Sequence, residues 1–330
     1  MWYNRPIEWF GFSQRRDRLD QKPVRVAVVG VGYFGAIHCA KIAGLPGATL
    51  EAVVDTDAMR GSEVARRYGT QAFRSHKDLI GKVDAAVVAV PTSAHHAVAA
   101  DLLAAGLDLL IEKPLAETPD EAAHLCHLAK RNALCLQVGH LERFNPVLME
   151  TLRRIQAPKY VRMERTGPFS GRGADVDVVL ELMIHDLDIL LQLTKSPVKS
   201  VAASGQALLS PYLDFTTARV EFEDGLVADL LASRVGPNIS RKFFVLDAHG
   251  TLEVDLGSRT ILRKGYHGEC VREENAVYGC TTFDPLMDQD RAFVEVLRNG
   301  RKPKVSGDAG MAAVTLASRI LDNIRPGGCR

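Results

Sequence analysis

The sequence predicts an α/β domain with a doubly wound parallel sheet, followed by an α+β domain with a largely antiparallel, open sheet. Two observations predict the first domain: five short apolar runs recur between residues 24 and 138, and helix-compatible segments separate them. Near-continuous apolar strands joined by helices indicate a parallel sheet covered on both faces. One observation predicts the second domain, because several β-rich runs then follow one another without intervening helices.

The elements follow in chain order. The first domain has apolar runs at 24–29, 50–54, 84–90, 107–111 and 134–138, with helical segments that include 93–105 and 119–131. The second has helices near 146–155 and 178–193, a strand-like segment at 160–165, and β-rich runs at 198–208, 216–222, 227–234, 242–248, 251–254 and 260–262. Helices at about 285–297 and 309–324 close the chain. We expect an N-terminal extension (1–22), a first domain (23–143) and a second domain (144–330) whose last helices pack back toward the first.

Composition narrows the classes of partner. The 330 residues carry 41 basic and 40 acidic side chains, for a net charge of +1, so no global field attracts nucleic acid or an anionic membrane. No apolar run reaches 18 residues, which predicts no membrane span. Small-molecule partners are favoured. The six cysteines show no C-x-x-C or zinc-finger spacing and are interpreted as free thiols in a reducing cytoplasm: Cys39, Cys126, Cys135, Cys270, Cys280 and Cys329.

The first 22 residues contain both tryptophans, Trp2 and Trp9, beside several arginines. They lack the apolar core of a signal peptide. Two interpretations remain open: a disordered tail or over-long translation start, and an arm that packs on a neighbouring subunit.

A glycine-rich turn follows the first apolar run, in the order Gly30-Val31-Gly32-Tyr33-Phe34-Gly35. In a dinucleotide-binding domain the first glycine allows the tight turn, the second lets the backbone approach a pyrophosphate, and the third lets helix and strand pack closely. Free N–H groups at the start of the helix, near Tyr33 and Phe34, would face the phosphates. The preceding strand and following helix favour this function over an ordinary turn whose glycines serve only the backbone.

The acidic residue that this motif needs is Asp55, which ends the second apolar run 20 residues after Gly35. Its carboxylate can accept hydrogen bonds from the adenosine ribose. Because a carboxylate repels a 2′-phosphate, Asp55 predicts NAD as the cofactor. Arg60, five residues on, leaves NADP as the less favoured option.

Further candidates lie where the next parallel strands end, at Pro91-Thr92 and Glu112-Lys113-Pro114. Doubly wound folds bind their ligands at this edge. Lys113 can donate a hydrogen bond to a substrate hydroxyl or carbonyl, although a plain surface lysine is the alternative. The adjacent His95 and His96 have no partners at metal spacing, so we interpret them as packing or cofactor-edge residues and expect no metal site.

The helix predicted over 178–193 carries a polar stripe, although eleven of its sixteen residues are apolar. Glu181, His185, Asp188 and Gln192 follow one another at spacings of 4, 3 and 4. The stripe is either the solvent face of an amphipathic helix or a face turned to a substrate cleft. In the second case His185 is suited to take an alcohol proton at neutral pH.

Two residues near the domain junction, Arg143 and Asn145, could bind a polyhydroxylated or phosphorylated ligand. An interdomain salt bridge is the alternative for Arg143.

Taken together, these motifs resemble the glucose-fructose oxidoreductase/inositol dehydrogenase/rhizopine catabolism family of NAD(P)-dependent sugar oxidoreductases. The resemblance runs from about Val24 to the C-terminus. It rests on the glycine turn, Pro91-x-x-x-His95, the Ala-Gly-x-x-x-x-x-Glu-Lys-Pro element that ends at Pro114, and His185-Asp186-Leu187-Asp188. It implies that Lys113 and His185 flank the reacting carbon and that Glu181 orients the imidazole, at a position where the family usually has Asp. It also adds Pro91, Thr92, His95 and Glu112 to the predicted cofactor contacts.

The stretches Val-Gly-His-x-Glu-Arg-Phe-Asn-Pro (138–146) and Leu-Met-Ile-His-Asp-Leu-Asp-Ile (182–189) further resemble the bacterial branch that oxidises the 3-hydroxyl of UDP-N-acetylglucosamine. There, an aminotransferase takes the 3-keto sugar toward lipid A precursors. A nucleotide-sugar diphosphate would need cationic partners, and the candidates are Arg143, Arg165 and Arg172.

Three further expectations accompany the resemblance. A dehydrogenase of a free cyclitol or aldose is the alternative enzyme, and a non-catalytic NAD-binding sugar sensor is the alternative from another class. The open sheet would suit a homodimer or homotetramer.

Overall fold

The computed structural model describes residues 22–171, 173–267, 270–277 and 283–324. Its first sheet has six parallel strands in the order β3-β2-β1-β4-β5-β6. These are β1 (Val24–Val29), β2 (Ala48–Val54), β3 (Gln71–Phe73), β4 (Ala85–Val88), β5 (Asp108–Glu112) and β6 (Leu136–Gly139). The connecting helices are α1 (Tyr33–Ala43), α2 (Ala58–Tyr68), α3 (Thr92–Ala104) and α4 (Pro119–Arg131). The predicted doubly wound parallel sheet is therefore confirmed.

Local sequence explains where these elements begin and end. Every residue of β1 except Arg25 is buried, as expected for a central parallel strand. The side chain of Asp57 caps α2 by accepting the N–H groups of Met59 and Arg60. Gly69 then ends α2 in the left-handed conformation, at φ 64°. Only the three-residue β3 escaped prediction, because it is too short to produce an apolar run.

The second sheet has eight strands in the order β14-β13-β12-β11-β7-β10-β9-β8. They are β7 (Tyr160–Thr166), β8 (Val198–Gln206), β9 (Phe215–Phe222), β10 (Val227–Ser233), β11 (Ser240–Asp247), β12 (Gly250–Asp255), β13 (Thr260–His267) and β14 (Cys270–Val277). The pair β7 and β10 is parallel, and the other neighbours are antiparallel. The prediction of a largely antiparallel sheet is thus confirmed. The sequence did not predict β14, because this polar strand has no apolar pattern.

The helices of the second half include α5 (Pro146–Arg154), α6 (Ile184–Leu193), α7 (Pro285–Asn299) and α8 (Gly307–Ile324). The segment predicted as one helix over 178–193 differs, because a π-helical turn over Val179–Met183 precedes α6. A π turn takes more residues per turn than an α-helix, so the spacing of polar residues across it no longer defines one face.

The chain divides into two compact units. Among the described residues, the first unit contains those up to 115, those in 120–139 and those in 286–308; the second contains those in 116–119, those in 140–285 and those from 309 onward. Most of α7 thus belongs to the first unit, where Phe293 and Val294 join the apolar core around β1. The change of unit after Gly139 lies four residues before the boundary that the sequence predicts.

The segment before α8 completes the first sheet. Val138 donates its N–H to the carbonyl of Val305, and Gln137 pairs with Ser306. This contact covers the edge strand β6.

Two composition-based expectations can be compared with the structure. Cys39, Cys126 and Cys135 are free, buried thiols, as predicted. Among the described residues, no helix is long and apolar enough to cross a membrane. Residues 1–21, Cys280 and Cys329 lie outside the described residues.

Candidate active site

The glycine turn has the conformation that its sequence requires. Gly30 adopts φ 83°, and a Cβ there would lie 2.7 Å from the carbonyl oxygen of Ala89. A Cβ on Gly35 would collide with the carbonyl oxygen of Gly30. Nothing lies within 4 Å of a Cβ built on Gly32, so the backbone is open at this glycine. The turn therefore offers an approachable backbone just before α1, where Tyr33 and Phe34 are exposed.

Asp55 ends β2 beside this turn. Its carboxylate accepts the N–H of Val31 at 3.0 Å and the N–H of Asp57 at 2.9 Å. The guanidinium of Arg60 binds both oxygens, at 2.9 and 3.0 Å. Burial alone would raise the pKa of Asp55, but the Arg60 and backbone hydrogen bonds outweigh it and lower the pKa. Asp55 is therefore an ionised acceptor at the position where the motif needs one.

The next two strand ends are tied together by His95. Its Nδ1 lies 2.7 Å from the carbonyl oxygen of Pro114, and its Nε2 lies 2.9 Å from that of Val90. Burial lowers the pKa of His95, and a neutral imidazole has one N–H for these two acceptors. Pro91 caps α3, and Thr92 is the buried first residue of that helix. The structure thus gives His95 a bridging position inside the first unit, whereas the neighbouring His96 is half-buried and contacts His124 at 2.8 Å.

Lys113 follows β5 directly, and the residue before it belongs to a buried polar cluster. Glu112 Oε1 lies 3.2 Å from His38 Nε2 and 3.2 Å from Gln289 Nε2. On its other side, His38 Nδ1 lies 2.9 and 3.0 Å from the two carboxylate oxygens of Asp290. The predicted cofactor contact Glu112 is 7% exposed, so its carboxylate serves this cluster.

The second unit holds His185, on the first turn of α6. The residue is only 9% exposed, so the polar stripe of this helix is not a solvent face. The imidazole meets the ring of His140 edge to face, with centroids 6.4 Å apart and an interplanar angle of 84°. His140 is itself 1% exposed. This packing restricts the orientations that the His185 ring can adopt.

Two arginines fix the same helix. Arg165 donates to Asp186 Oδ1 at 2.8 and 3.1 Å and to Glu142 Oε1 at 3.1 Å. Burial would lower the pKa of Arg165, but these two carboxylates outweigh it and hold the pKa above its ordinary value. Arg143 binds Asp188 with two hydrogen bonds, at 2.6 and 2.8 Å. The aspartates one and three residues after His185 are therefore both ion-paired.

These contacts decide how far the predicted substrate residues remain available. Arg165 is 4% exposed and already binds two carboxylates, so its guanidinium is not available to a phosphate. Arg143 binds Asp188 within the second unit, which differs from the interdomain salt bridge that was its alternative. Asn145 caps α5 by accepting the N–H of Val147, and it donates to Glu142. Arg172 lies outside the described residues.

Glu181 lies in the π-helical turn that precedes α6. Its carboxylate packs against Gly173, where a Cβ would collide with it. This contact requires a glycine, which also adopts φ 63° there. Glu181 therefore connects the π turn to the glycine-containing loop that leads into it.

Sequence reasoning missed four residues. His38 and Asp290 surround Glu112, and His140 packs on His185. Arg241 is exposed at the start of β11, opposite Arg165, and its charge acts on Glu142 and Asp186. Only His140 lay in a stretch whose sequence had drawn attention. Pairing in three dimensions identifies the other three.

Comparisons with known proteins identify the family of the chain. Residues 24–140 match the model of an oxidoreductase family with an NAD-binding Rossmann fold, and residues 157–253 match the GFO/IDH/MocA C-terminal domain. The UDP-N-acetylglucosamine 3-dehydrogenase of Acidithiobacillus ferrooxidans is 38% identical over 240 residues, which cover 72% of this chain and 76% of that protein. The chain belongs to the Gfo/Idh/MocA family.

Solved structures agree with the family assignment. The A. ferrooxidans enzyme superposes with a TM-score of 0.85 at 33% identity, over 92% of this chain and 98% of the other. The scyllo-inositol dehydrogenase of Lactobacillus casei, solved with bound NAD(H) and scyllo-inositol, gives a TM-score of 0.78 over 92% and 98%. At 20% identity that second likeness concerns the fold. As a Gfo/Idh/MocA protein with dehydrogenases as relatives, the chain is an oxidoreductase, which answers the sensor alternative.

Proposed function

We propose that this oxidoreductase uses NAD to oxidise the 3-hydroxyl of a UDP-N-acetylhexosamine, in the synthesis of envelope polysaccharide or lipid A precursors. The observation that carries the chemistry is the setting of His185: a nearly buried imidazole on a helix whose aspartates are held by Arg143 and Arg165. The similarity to the A. ferrooxidans enzyme supports the choice of substrate.

The proposed step divides the work between two side chains. His185 accepts the proton of the sugar hydroxyl, and Lys113 donates a hydrogen bond to the same oxygen as it becomes a carbonyl. NAD, when bound, supplies the acceptor for the hydride that leaves the sugar carbon. Glu181 holds the loop and the π turn beside His185, and we propose that it helps to orient the imidazole.

The residues at the glycine turn fit NAD. The backbone is open at Gly32, and the first N–H groups of a helix lack intrahelical acceptors and suit a pyrophosphate. The ionised Asp55 repels a 2′-phosphate, and it can accept the ribose hydroxyls when they replace the hydrogen bonds of Arg60. Arg60 is already bound to Asp55. We therefore propose NAD over NADP, with Tyr33 and Phe34 at the cofactor-facing end of α1.

For the substrate diphosphate we propose Arg241 as a cationic partner. Its guanidinium is exposed, whereas that of its cross-strand neighbour Arg165 is buried and paired. It shares a strand face with Phe243, since alternate residues of a strand point the same way. Arg241→Gln should raise the KM for the nucleotide sugar about tenfold and leave the KM for NAD unchanged. Lys242→Gln, on the opposite face of β11, is the matched control; an equal effect of both substitutions would contradict this assignment.

The test of function is an NADH-formation assay with a panel of UDP-sugars, inositols and aldoses. We expect a UDP-N-acetylhexosamine to be turned over most efficiently. Efficient oxidation of an inositol or a free aldose, with no turnover of UDP-sugars, would instead support the alternative enzyme. The oxidised product should carry a 3-keto group, which mass spectrometry after borodeuteride reduction locates.

The roles of the two side chains are tested by substitution. Lys113→Ala and His185→Ala should each lower kcat by about 10² to 10⁴ while leaving NAD affinity nearly unchanged. Lys82→Ala and His249→Ala are matched controls, because these residues lie in the same two units and are exposed. Full turnover in either of the first two variants would remove that residue from the mechanism.

One face of the second sheet supports an oligomer. Phe244 and Leu246 give the outward face of the second sheet partly exposed apolar side chains, which supports a homodimer or homotetramer. Sedimentation equilibrium distinguishes these states from a monomer.

The buried free thiols support a reducing, cytoplasmic location, where a sugar aminotransferase would take the keto product.

A further inference from the structure

Lys113 belongs to a cluster of two cations and two anions. The cations are His38 and Lys113, and the anions are Glu112 and Asp290. Both nitrogens of the fully buried His38 ring face carboxylates: Nδ1 faces Asp290, and Nε2 faces Glu112. A carboxylate only accepts hydrogen bonds, so both ring nitrogens carry a proton and the imidazole is positively charged. The charge of Lys113 acts on Glu112 in turn. The four groups balance to neutrality inside the first unit, although they come from three distant parts of the chain.

The cluster also fixes the backbone from which Lys113 extends. Glu112 Oε2 accepts the N–H of Lys113 at 3.4 Å, while Oε1 is held by His38 and by Gln289. The carboxyl group lies over Gly139, where a Cβ would come within 2.5 Å of Oε1. The side chain of Glu112 is therefore held in one place by His38, Gln289 and Gly139. Through its hydrogen bond to the Lys113 N–H, it also restricts the position of the Lys113 peptide.

We infer that His38 and Asp290 are positioning residues for Lys113: through Glu112 they hold the Lys113 peptide and balance the charge beside its ammonium group. The inference rests on the proposed catalytic role of Lys113. It assigns α7, which comes from the C-terminal part of the chain, a function in addition to packing. Neutralising Asp290 would leave two cations, His38 and Lys113, beside one anion, Glu112. It would also loosen the His38 imidazole that binds Glu112.

The first measurement is a comparison of two substitutions on α7. Asp290→Asn keeps the size of the side chain and removes its charge; we expect it to lower kcat about 10- to 100-fold, because small displacements of a catalytic group cost that much. NAD affinity should change less than about threefold. Val294→Ala is the matched control: it removes buried apolar contacts on the same helix, so it should lower the melting temperature and leave kcat unchanged.

The second measurement separates positioning from general damage. In a double-mutant cycle, Asp290→Asn should change kcat less than about twofold when Lys113 is already Ala, since its effect passes through that side chain. The cycle is run with whichever sugar the substrate panel identifies, at high enzyme concentration so that slow NADH formation is readable. An equal loss in both backgrounds would overturn the inference, as would wild-type kcat in Asp290→Asn.

A third readout does not depend on turnover. Nitrogen-15 spectra of histidine-labelled protein at pH 8 should contain the signal of a ring with both nitrogens protonated, which His38→Gln removes and Asp290→Asn perturbs. A neutral His38 ring at that pH would overturn the inference. If Lys113→Ala itself retains full turnover, the proposed function of Lys113 fails and this inference fails with it. If only Asp290→Asn retains turnover, the inference alone fails.

Discussion

The two predicted catalytic side chains are supported by buried ionic clusters of different chemistry. Lys113 follows Glu112, whose partner is the titratable His38, whereas His185 precedes Asp186, whose partner is Arg165. A histidine can lose its charge within the range of ordinary experiments, but an arginine keeps it. The identity of the cation in such a cluster therefore determines how strongly the cluster responds to pH.

The clusters also differ in how the chain assembles them. The pairs in the second unit join residues 21 to 45 positions apart, so a local stretch of chain supplies them. In the first unit, His38 binds Glu112 at a separation of 74 residues and Asp290 at 252. The support of Lys113 is complete only when α7 has joined the first sheet.

The largest expected effect follows from removing Arg165 from its cluster with Asp186 and Glu142. Arg165→Met leaves the buried Asp186 and Glu142 without the cation that hydrogen-bonds both, and such a change costs about 3–5 kcal/mol of unfolding free energy. Urea-induced unfolding followed by circular dichroism measures it. Arg219→Met is the matched control, because the pair of Arg219 with Asp229 is largely exposed and is worth about 0–1 kcal/mol. Similar losses in both variants would show that burial does not distinguish the pairs.

The next effect concerns pH and sharpens the contrast between histidine and arginine. Burial would lower the pKa of His38, but Asp290 and Glu112 outweigh it and raise the pKa to about 10. Because this folded-state pKa exceeds the unfolded value of 6.5, the stabilisation is complete below pH 6.5 and is lost as pH rises through 10. The nearby Cys39 thiol, whose pKa burial raises to about 12, titrates above this window.

The measurement compares wild type with Asp290→Asn in urea at pH 7.5 and at pH 10.5. At pH 7.5 we expect wild type to be more stable by a few kcal/mol. At pH 10.5 the gap should narrow, because His38 is then largely neutral in both proteins. Lysines and tyrosines also titrate in this range, but they do so in both proteins and cancel in the difference. A gap that stays constant would mean that His38 does not change its charge between these two pH values, which would contradict a pKa of about 10.

The sequence predicted those features that depend on one short stretch of chain. The positive φ of Gly30 and the close approach of Gly35 to the strand require glycine locally, so the motif identifies the turn. Likewise, alternating apolar runs and helices predicted the parallel sheet. These requirements involve neighbours in sequence, which a reader of the chain can see.

Features that depend on distant residues were not visible. Nothing in α7 marks Asp290 as the partner of His38, because an acidic residue on an amphipathic helix ordinarily faces water. The π turn over Val179–Met183 changes which side chains share a face, so the polar stripe predicted for residues 181–192 could not be assigned by α-helical spacing. The burial of Asp186 and Asp188 likewise could not be predicted, because their arginine partners are distant in sequence.

The smallest expected effect involves the ion pair at the edge of the proposed cofactor site. Asp55 is buried, but the side chain of Arg60 is 49% exposed, so the pair should contribute about 0–1 kcal/mol to stability, far less than either buried cluster. Arg60→Ala should therefore leave the melting temperature nearly unchanged and alter the KM for NAD less than about threefold. The KM for NADP should rise above that of wild type, because the substitution removes a guanidinium that could leave Asp55 for a 2′-phosphate, while the Asp55 carboxylate remains. Arg67→Ala, on the same helix and paired with the exposed Glu63, is the control. Improved use of NADP by Arg60→Ala would mean that Arg60 serves to hold Asp55 in the orientation that excludes the 2′-phosphate.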